Sequence, residues 1–88
     1  MEKFVIIWSK KAEDQMLKLP FSIRKLIYLK VDRLITCPHK NVKKLRGTDY
    51  FRLRVGDYRI IFDIEKNKLR ILILFVGHRK NIHKKFWI

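Results

Sequence analysis

Between Tyr50 and Phe62 the chain reads YFRLRVGDYRIIF, two alternating runs joined by Gly-Asp. No other stretch restricts the fold as much. A glycine in the first central position favours a two-residue hairpin, whose backbone twist matches that of the strands it joins. A two-residue turn at Gly56–Asp57 leaves one register: Val55 faces Tyr58, Arg54 faces Arg59, Leu53 faces Ile60 and Arg52 faces Ile61. Period-two alternation then sends Phe51, Leu53, Val55, Tyr58, Ile60 and Phe62 to one face, and Arg52, Arg54 and Arg59 to the other. The apolar face has to be covered, and helices are the available cover.

The rest of the chain supplies them. "KFVIIW" (3–8) is short, β-branched and aromatic, the pattern of a buried strand. Ser9 is placed to cap a helix over 10–18, with Ala12, Met16 and Leu17 inward and Pro20 ending it. Ile23, Leu26, Ile27, Val31, Leu34 and Ile35 recur at helical spacing, giving a second helix with Arg24, Lys25, Asp32 and Arg33 outside. That helix stops before Pro38, because the residue preceding a proline avoids the helical region. A basic loop, "HKNVKKLRG", leads to strands over about 49–55, 58–65 and 69–76. The third, "LRILILFV", is apolar on both faces, as a central strand is. The three glycines fall at suspected strand boundaries.

The expectation is one α+β domain over residues 1–88 in the order β-α-α-β-β-β. Its sheet is mainly antiparallel and four-stranded, with the first strand returning beside the last. Both helices pack on one face, the other stays open, and a short basic tail, "HRKNIHKKFWI", follows.

A chain of 88 residues buries only about 60–65% of the surface its unfolded form exposes, so its core must be dense; 48% hydrophobic and 12% aromatic residues provide one. Charge is the stronger signal. Twenty-two Lys and Arg against eight Asp and Glu give a net +14, and such self-repulsion is usually tolerated where the partner is a polyanion. No helix has a clean basic face opposite an apolar one, which argues against a membrane surface. The longest apolar run, "ILILFV", is far short of the roughly 18 residues a membrane span needs. One cysteine, Cys37, forms no intrachain disulfide and suits a reducing compartment. No targeting segment is legible, and a soluble cytoplasmic protein is expected. Cys37 and His39 make a C-x-H pair without further ligands at metal spacing, so neither metal nor cofactor is assigned.

Directly opposed like charges destabilise a sheet by a few tenths to about 1 kcal/mol, so the facing Arg54 and Arg59 suggest an anion between them. Phosphate matches the planar donor fork of arginine. The competing explanation is an ordinary solvated face, with the arginine stems lying along it and Asp49, Asp57 or Asp63 neutralising them. Lys40, Lys43, Lys44 and Arg46 offer a basic run to an RNA backbone, or form a solvated loop. Phe86 and Trp87 either stack on a base or close the core at the chain end.

"NVKKLRGTDYFRLRVGDYRIIFDI" followed by "FVGHRKNIH" resembles the RelE/ParE superfamily of toxins, and its RelE branch more closely. The similarity runs through "SKKAEDQMLKLP", the proline closing the second helix, the hairpin and "VGHR", essentially the whole chain. It implies the toxin of a type II toxin–antitoxin pair: a metal-independent mRNA interferase. Such an enzyme enters the ribosomal A site and cleaves mRNA there by attack of a ribose 2′-OH on the adjacent phosphate. The implied partners are ribosome, mRNA and a separately encoded acidic RelB-like antitoxin, which holds the toxin inactive in a hetero-oligomer. Gyrase-poisoning ParE relatives share the hairpin, so that activity stays open, as does a non-catalytic basic RNA-binding module.

The resemblance also distributes roles. Arg54 and Arg59 stabilise charge on the phosphorane, usually the largest catalytic contribution, and Arg79 is a third clamp. Arg52 and Arg54 stand where the best-studied RelE pattern has lysines. A guanidinium does not give up its proton, so neither is a base. His83, four residues after Arg79, occupies the position of a family tyrosine or histidine. An imidazole with an ordinary pKa near 6.5 suits proton transfer, and Arg79, Lys80, Lys84 and Lys85 around it favour the neutral, basic ring. The alternative is a surface histidine on a basic tail. Lys80, Lys84 and Lys85 join the RNA-contacting cations, while His78 and Tyr58 are assigned to packing.

Overall fold

The computed structural model describes residues 3–40 and 42–78 of the 88. It contains β1 (Val5–Trp8), α1 (Lys10–Leu17), α2 (Phe21–Asp32), β2 (Val42–Lys44), β3 (Phe51–Val55), β4 (Tyr58–Glu65) and β5 (Arg70–His78). The sheet runs β1-β5-β4-β3-β2; β1 is parallel to β5 and every other pairing is antiparallel. The α+β class, the pairing of the first strand with the last and the helices on one face agree with the sequence reading.

The sheet has five strands instead of four. The additional strand, β2, lies inside the basic stretch read as a loop, with Val42 against Leu53, Lys43 against Arg52 and Lys44 against Phe51. Three residues, two of them lysine, carry no alternation to read. The edge of β3 makes them a strand.

Ser9 caps α1 as its position predicts: its Oγ accepts the Ala12 N–H at 3.1 Å and its hydroxyl donates to the Leu74 carbonyl at 3.2 Å. Ala12 and Met16 are buried, one helical turn apart, whereas Leu17 lies a further 100° or so round the helix and is 72% exposed, not inward. On α2, Ile27 and Val31 are buried with Leu34 just beyond it, but Leu26, at the margin of the stripe, is exposed. α2 also ends sooner than expected, tightening into a 3₁₀ turn over Arg33–Ile35. These side chains meet Leu53, Val55, Ile60, Phe62, Ile71, Ile73 and Val76 of the sheet to form the main core.

β5 contains a bulge. Ile61 pairs with Phe75 but Phe62 pairs with Ile73, leaving Leu74 as the extra residue. The bulge reverses the strand's parity, so Ile71, Ile73 and Val76 reach the helix side while Phe75 turns to the other. That other face is consequently not bare. Ile61 and Phe75 are buried on it, with Leu45 and Tyr50 packed against them from the β2–β3 connection. The connection is held by Leu45 N–H donating to Tyr50 O at 2.8 Å and Tyr50 N–H donating to Thr48 Oγ1 at 3.0 Å. Among the described residues, no helix is long and apolar enough to cross a membrane.

Candidate anion-binding face

Gly56 has φ of +58°, and Leu69 is the only non-glycine with positive φ among the described residues, so Asp57 is on the ordinary side. Positive φ at the first central residue alone is the II′ arrangement. The register is the one the sequence predicts: Val55–Tyr58, Arg54–Arg59, Leu53–Ile60, Arg52–Ile61. Residues directly opposite each other share a face, so Arg52, Arg54 and Arg59 all lie on the side away from the helices.

Lys43 joins them. Its pairing with Arg52 places it on the same face, making a second opposed pair of like charges beside Arg54–Arg59. Arg52 and Arg59 are half-buried; Lys43 and Arg54 are exposed. Arg54 Nε donates to the Gly56 carbonyl at 3.3 Å, an orientation toward the turn. Of the carboxylates proposed as neutralisers, Asp49 lies 4.0 Å from Lys44, and Asp57 and Asp63 make no ion pair among the described residues. Neither Arg52 nor Arg54 is ion-paired there. Farther along the same face, Arg70 is neutralised by Glu65, whose Oε1 accepts from Nε at 2.8 Å and lies 2.7 Å from Nη2.

The surroundings sharpen this charge. Ile61 is flanked by Arg52 on one strand and Phe75 on the other. Gly77 stands opposite Arg59, and a Cβ there would approach the Phe75 ring to 2.7 Å, so the ring lies along the backbone at Gly77. Lys11 of α1 reaches the same ring, its Nζ 5.3 Å from the centroid. An apolar floor excludes water and strengthens the interaction of nearby cations with any anion they meet.

Lys44 lies on the opposite face from Lys43, so the basic run is not one surface. Arg46 is exposed in the β2–β3 connection, and Lys40 is exposed in the turn after α2. Cys37 is exposed, and His39 packs edge-on against Phe51 at 5.8 Å. Tyr58 and His78 pack edge to face at 5.5 Å, in keeping with structural roles. Arg79, Lys80, His83, Lys84, Lys85, Phe86 and Trp87 lie outside the described residues. Sequence reasoning missed Phe75 and Lys11 altogether. A glycine within an apolar strand, marking close approach of another group, was the available signal for Phe75.

Residues 6–83 match the family described as the ParE toxin of type II toxin-antitoxin system, parDE. The chain belongs to the RelE/ParE superfamily of toxins of toxin–antitoxin systems. Its relatives put it on the RelE-like branch. Toxin RelE3 of Methanocaldococcus jannaschii is 33% identical over 90 residues, covering 92% of this chain and 97% of that protein. The toxin–antitoxin complex RelBE2 of Mycobacterium tuberculosis has a TM-score of 0.82 at 27% identity, covering 90% of this chain and 94% of the other. The archaeal RelE–RelB complex of Pyrococcus horikoshii has a TM-score of 0.79 at 27% identity, covering 88% and 96%.

Proposed function

We propose that the chain is a ribosome-dependent endoribonuclease that cuts mRNA in the A site through attack of a 2′-OH on the adjacent phosphate, and so inhibits translation in the cytoplasm. The observation that carries this reading is the double row of like charges, Lys43 with Arg52 and Arg54 with Arg59, on one face. Each pair costs stability, by up to about 1 kcal/mol for charges directly opposite. A bound phosphodiester reverses the sign of that cost. Arg54 and Arg59 take the charge that develops on the phosphorane, and Arg52 holds the neighbouring backbone. Proton transfer is assigned to His83, with Arg79 as a further clamp, and Lys40, Arg46, Lys80, Lys84 and Lys85 contact RNA backbone.

The partner that restrains it is an acidic antitoxin; among the structural neighbours, RelBE2 is a toxin–antitoxin complex and the archaeal RelE is in complex with RelB. Two features support such a partner. The net charge is +14, and on α2 the exposed Phe21, Tyr28 and Leu29 line one shallow cleft together with Arg24, Lys25 and Asp32.

Programmed ribosomes incubated with the protein, followed by mapping of message ends, test the activity. New ends within the A-site codon are expected; intact message at saturating protein rules the reading out. The matching family is named for ParE, which favours gyrase as the second reading. Cleaved DNA–gyrase complexes accumulating with translation untouched select that one.

A further inference from the structure

We propose that the cleft between the end of α2 and the edge of β3 is a nucleotide subsite. It takes one base of a single-stranded RNA whose phosphate lies against Arg54, an inference that rests on the RNA-directed reading above. Among the described residues β2 pairs with β3 as far as Val42–Leu53, and Arg54 is the next residue along β3. Between that edge and the last turn of α2 lies a cavity of about 300 Å³. This is the lower end of the size range of small-ligand sites.

Its chemistry divides in two. Leu34 and Leu53, at 1% and 4% exposure, give it an apolar lining. Lys30, Arg33, Lys40 and Arg54 bring four cations to it from α2, the 3₁₀ turn, the following turn and β3. Lys30 and Arg33 alone have a simple explanation, since cations suit the carbonyl end of a helix. That account does not extend to Lys40 and Arg54, which come from other segments.

A bare anion matches only half of this lining. The helix carbonyl end and the leucines both disfavour a charge pressed against them. A flat, uncharged base gains from the leucines, and its flanking phosphates gain from the cations. Arg54 belongs to both the cleft and the Arg54–Arg59 pair. A strand with its scissile phosphate at that pair therefore carries its neighbouring nucleotide to the cleft, where an unstacked base can enter.

Cys37 lines the cleft, is exposed and is the only cysteine in the chain, so its alkylation reports occupancy. The full chain is treated with N-ethylmaleimide in the presence of a 2′-O-methyl RNA tetranucleotide, an abasic oligomer with the same number of phosphates, or a polyglutamate peptide of equal charge. The tetranucleotide is expected to slow alkylation at least about fivefold, the lower range for one held base, while the other two leave it nearly unchanged. Equal protection by the abasic oligomer reduces the cleft to a phosphate site and overturns the proposal. Equal protection by the peptide overturns it in favour of an acidic protein. So does undiminished alkylation, whether or not fluorescence anisotropy shows the tetranucleotide bound.

A Cys37→Trp variant fills the cleft from an exposed position. Its circular dichroism should be unchanged and its affinity for the tetranucleotide lower, with the abasic oligomer unaffected; equal affinity for the tetranucleotide overturns the subsite. Message cut on ribosomes with Cys37 unprotected removes the subsite alone. Cys37 protected with message intact removes the cleavage reading and leaves the subsite standing.

Discussion

The Oε1 of Gln15 on α1 accepts the backbone N–H of Val76 on β5 at 2.7 Å. β1 ends at Trp8, and past it Ser9 N–H donates to the Ile73 carbonyl at 2.9 Å. A helix side chain then continues the edge where the strand has run out. Gln15→Ala leaves a strand amide unpaired beside the bulge and should cost about 1–3 kcal/mol, the range for a buried orphan donor. Gln15→Glu retains an acceptor and should cost less. Urea unfolding of the two variants checks the order.

Gly77 and Phe75 make a second pair whose fit is steric. Gly77→Ala pushes a methyl to within 2.7 Å of the Phe75 ring, which must move. Overpacking of this kind costs about 1–3 kcal/mol. Because Arg59 lies opposite Gly77, message cleavage should fall as well. Adding Phe75→Leu to Gly77→Ala should recover part of the stability. A double-mutant cycle with no coupling between the two sites would remove the steric explanation.

The hairpin was legible because its two signals agree. A glycine able to take positive φ and an unbroken alternation on both sides leave one register, and every arginine position follows from it. β2 was illegible for the opposite reason: Val42, Lys43 and Lys44 have no pattern of their own, and their strand exists through pairing with β3. Parity in β5 could not be read through either. An all-apolar run hides a bulge, so the turning of Phe75 onto the cationic face, and the small core it makes with Ile61, came only from the structure. The Arg54–Arg59 pair thus follows from the sequence, while Lys43 reads as part of a loop and the alternation carries no mark of Lys11 or Phe75.

Arg70 provides an internal control for the site. It lies on the same face as Arg54 but is joined to Glu65 by contacts of 2.7 and 2.8 Å. Its charge is already satisfied. Arg70→Ala should therefore leave message cleavage nearly unchanged at constant ionic strength and lower stability by no more than about 1 kcal/mol, since the pair is only partly buried. A loss of cleavage equal to that of Arg54→Ala would mean that total charge, and not its placement, sets activity.

Lys43 and Lys44 are neighbours in sequence and opposites in the sheet. Lys43 faces Arg52 on the cationic side; Lys44 faces Phe51 on the other and lies near Asp49. Lys43→Ala should weaken RNA binding and reduce the salt dependence of that binding by about one phosphate contact. Lys44→Ala should do much less. Binding measured across a salt series separates them, and equal effects would return both residues to a featureless basic loop.

Arg54→Gln tests the cost argument itself. Glutamine keeps much of the arginine stem and can still donate to the Gly56 carbonyl, but removes one of two directly opposed charges. The folded state should gain about 0.2–1 kcal/mol at low salt. That gain should largely disappear near 1 M salt, where the screening length falls to about 3 Å. Over the same substitution message cleavage should drop by about a hundredfold or more, the loss expected for one preorganised donor to a developing oxyanion. Stability and activity then move in opposite directions at a single residue, the signature of a charge held in place for a ligand. Urea unfolding at two salt concentrations alongside the ribosome assay reads both. A stability that falls, or fails to respond to salt, would mean that Arg54 and Arg59 do not repel each other in the free protein and that their opposition carries no functional information.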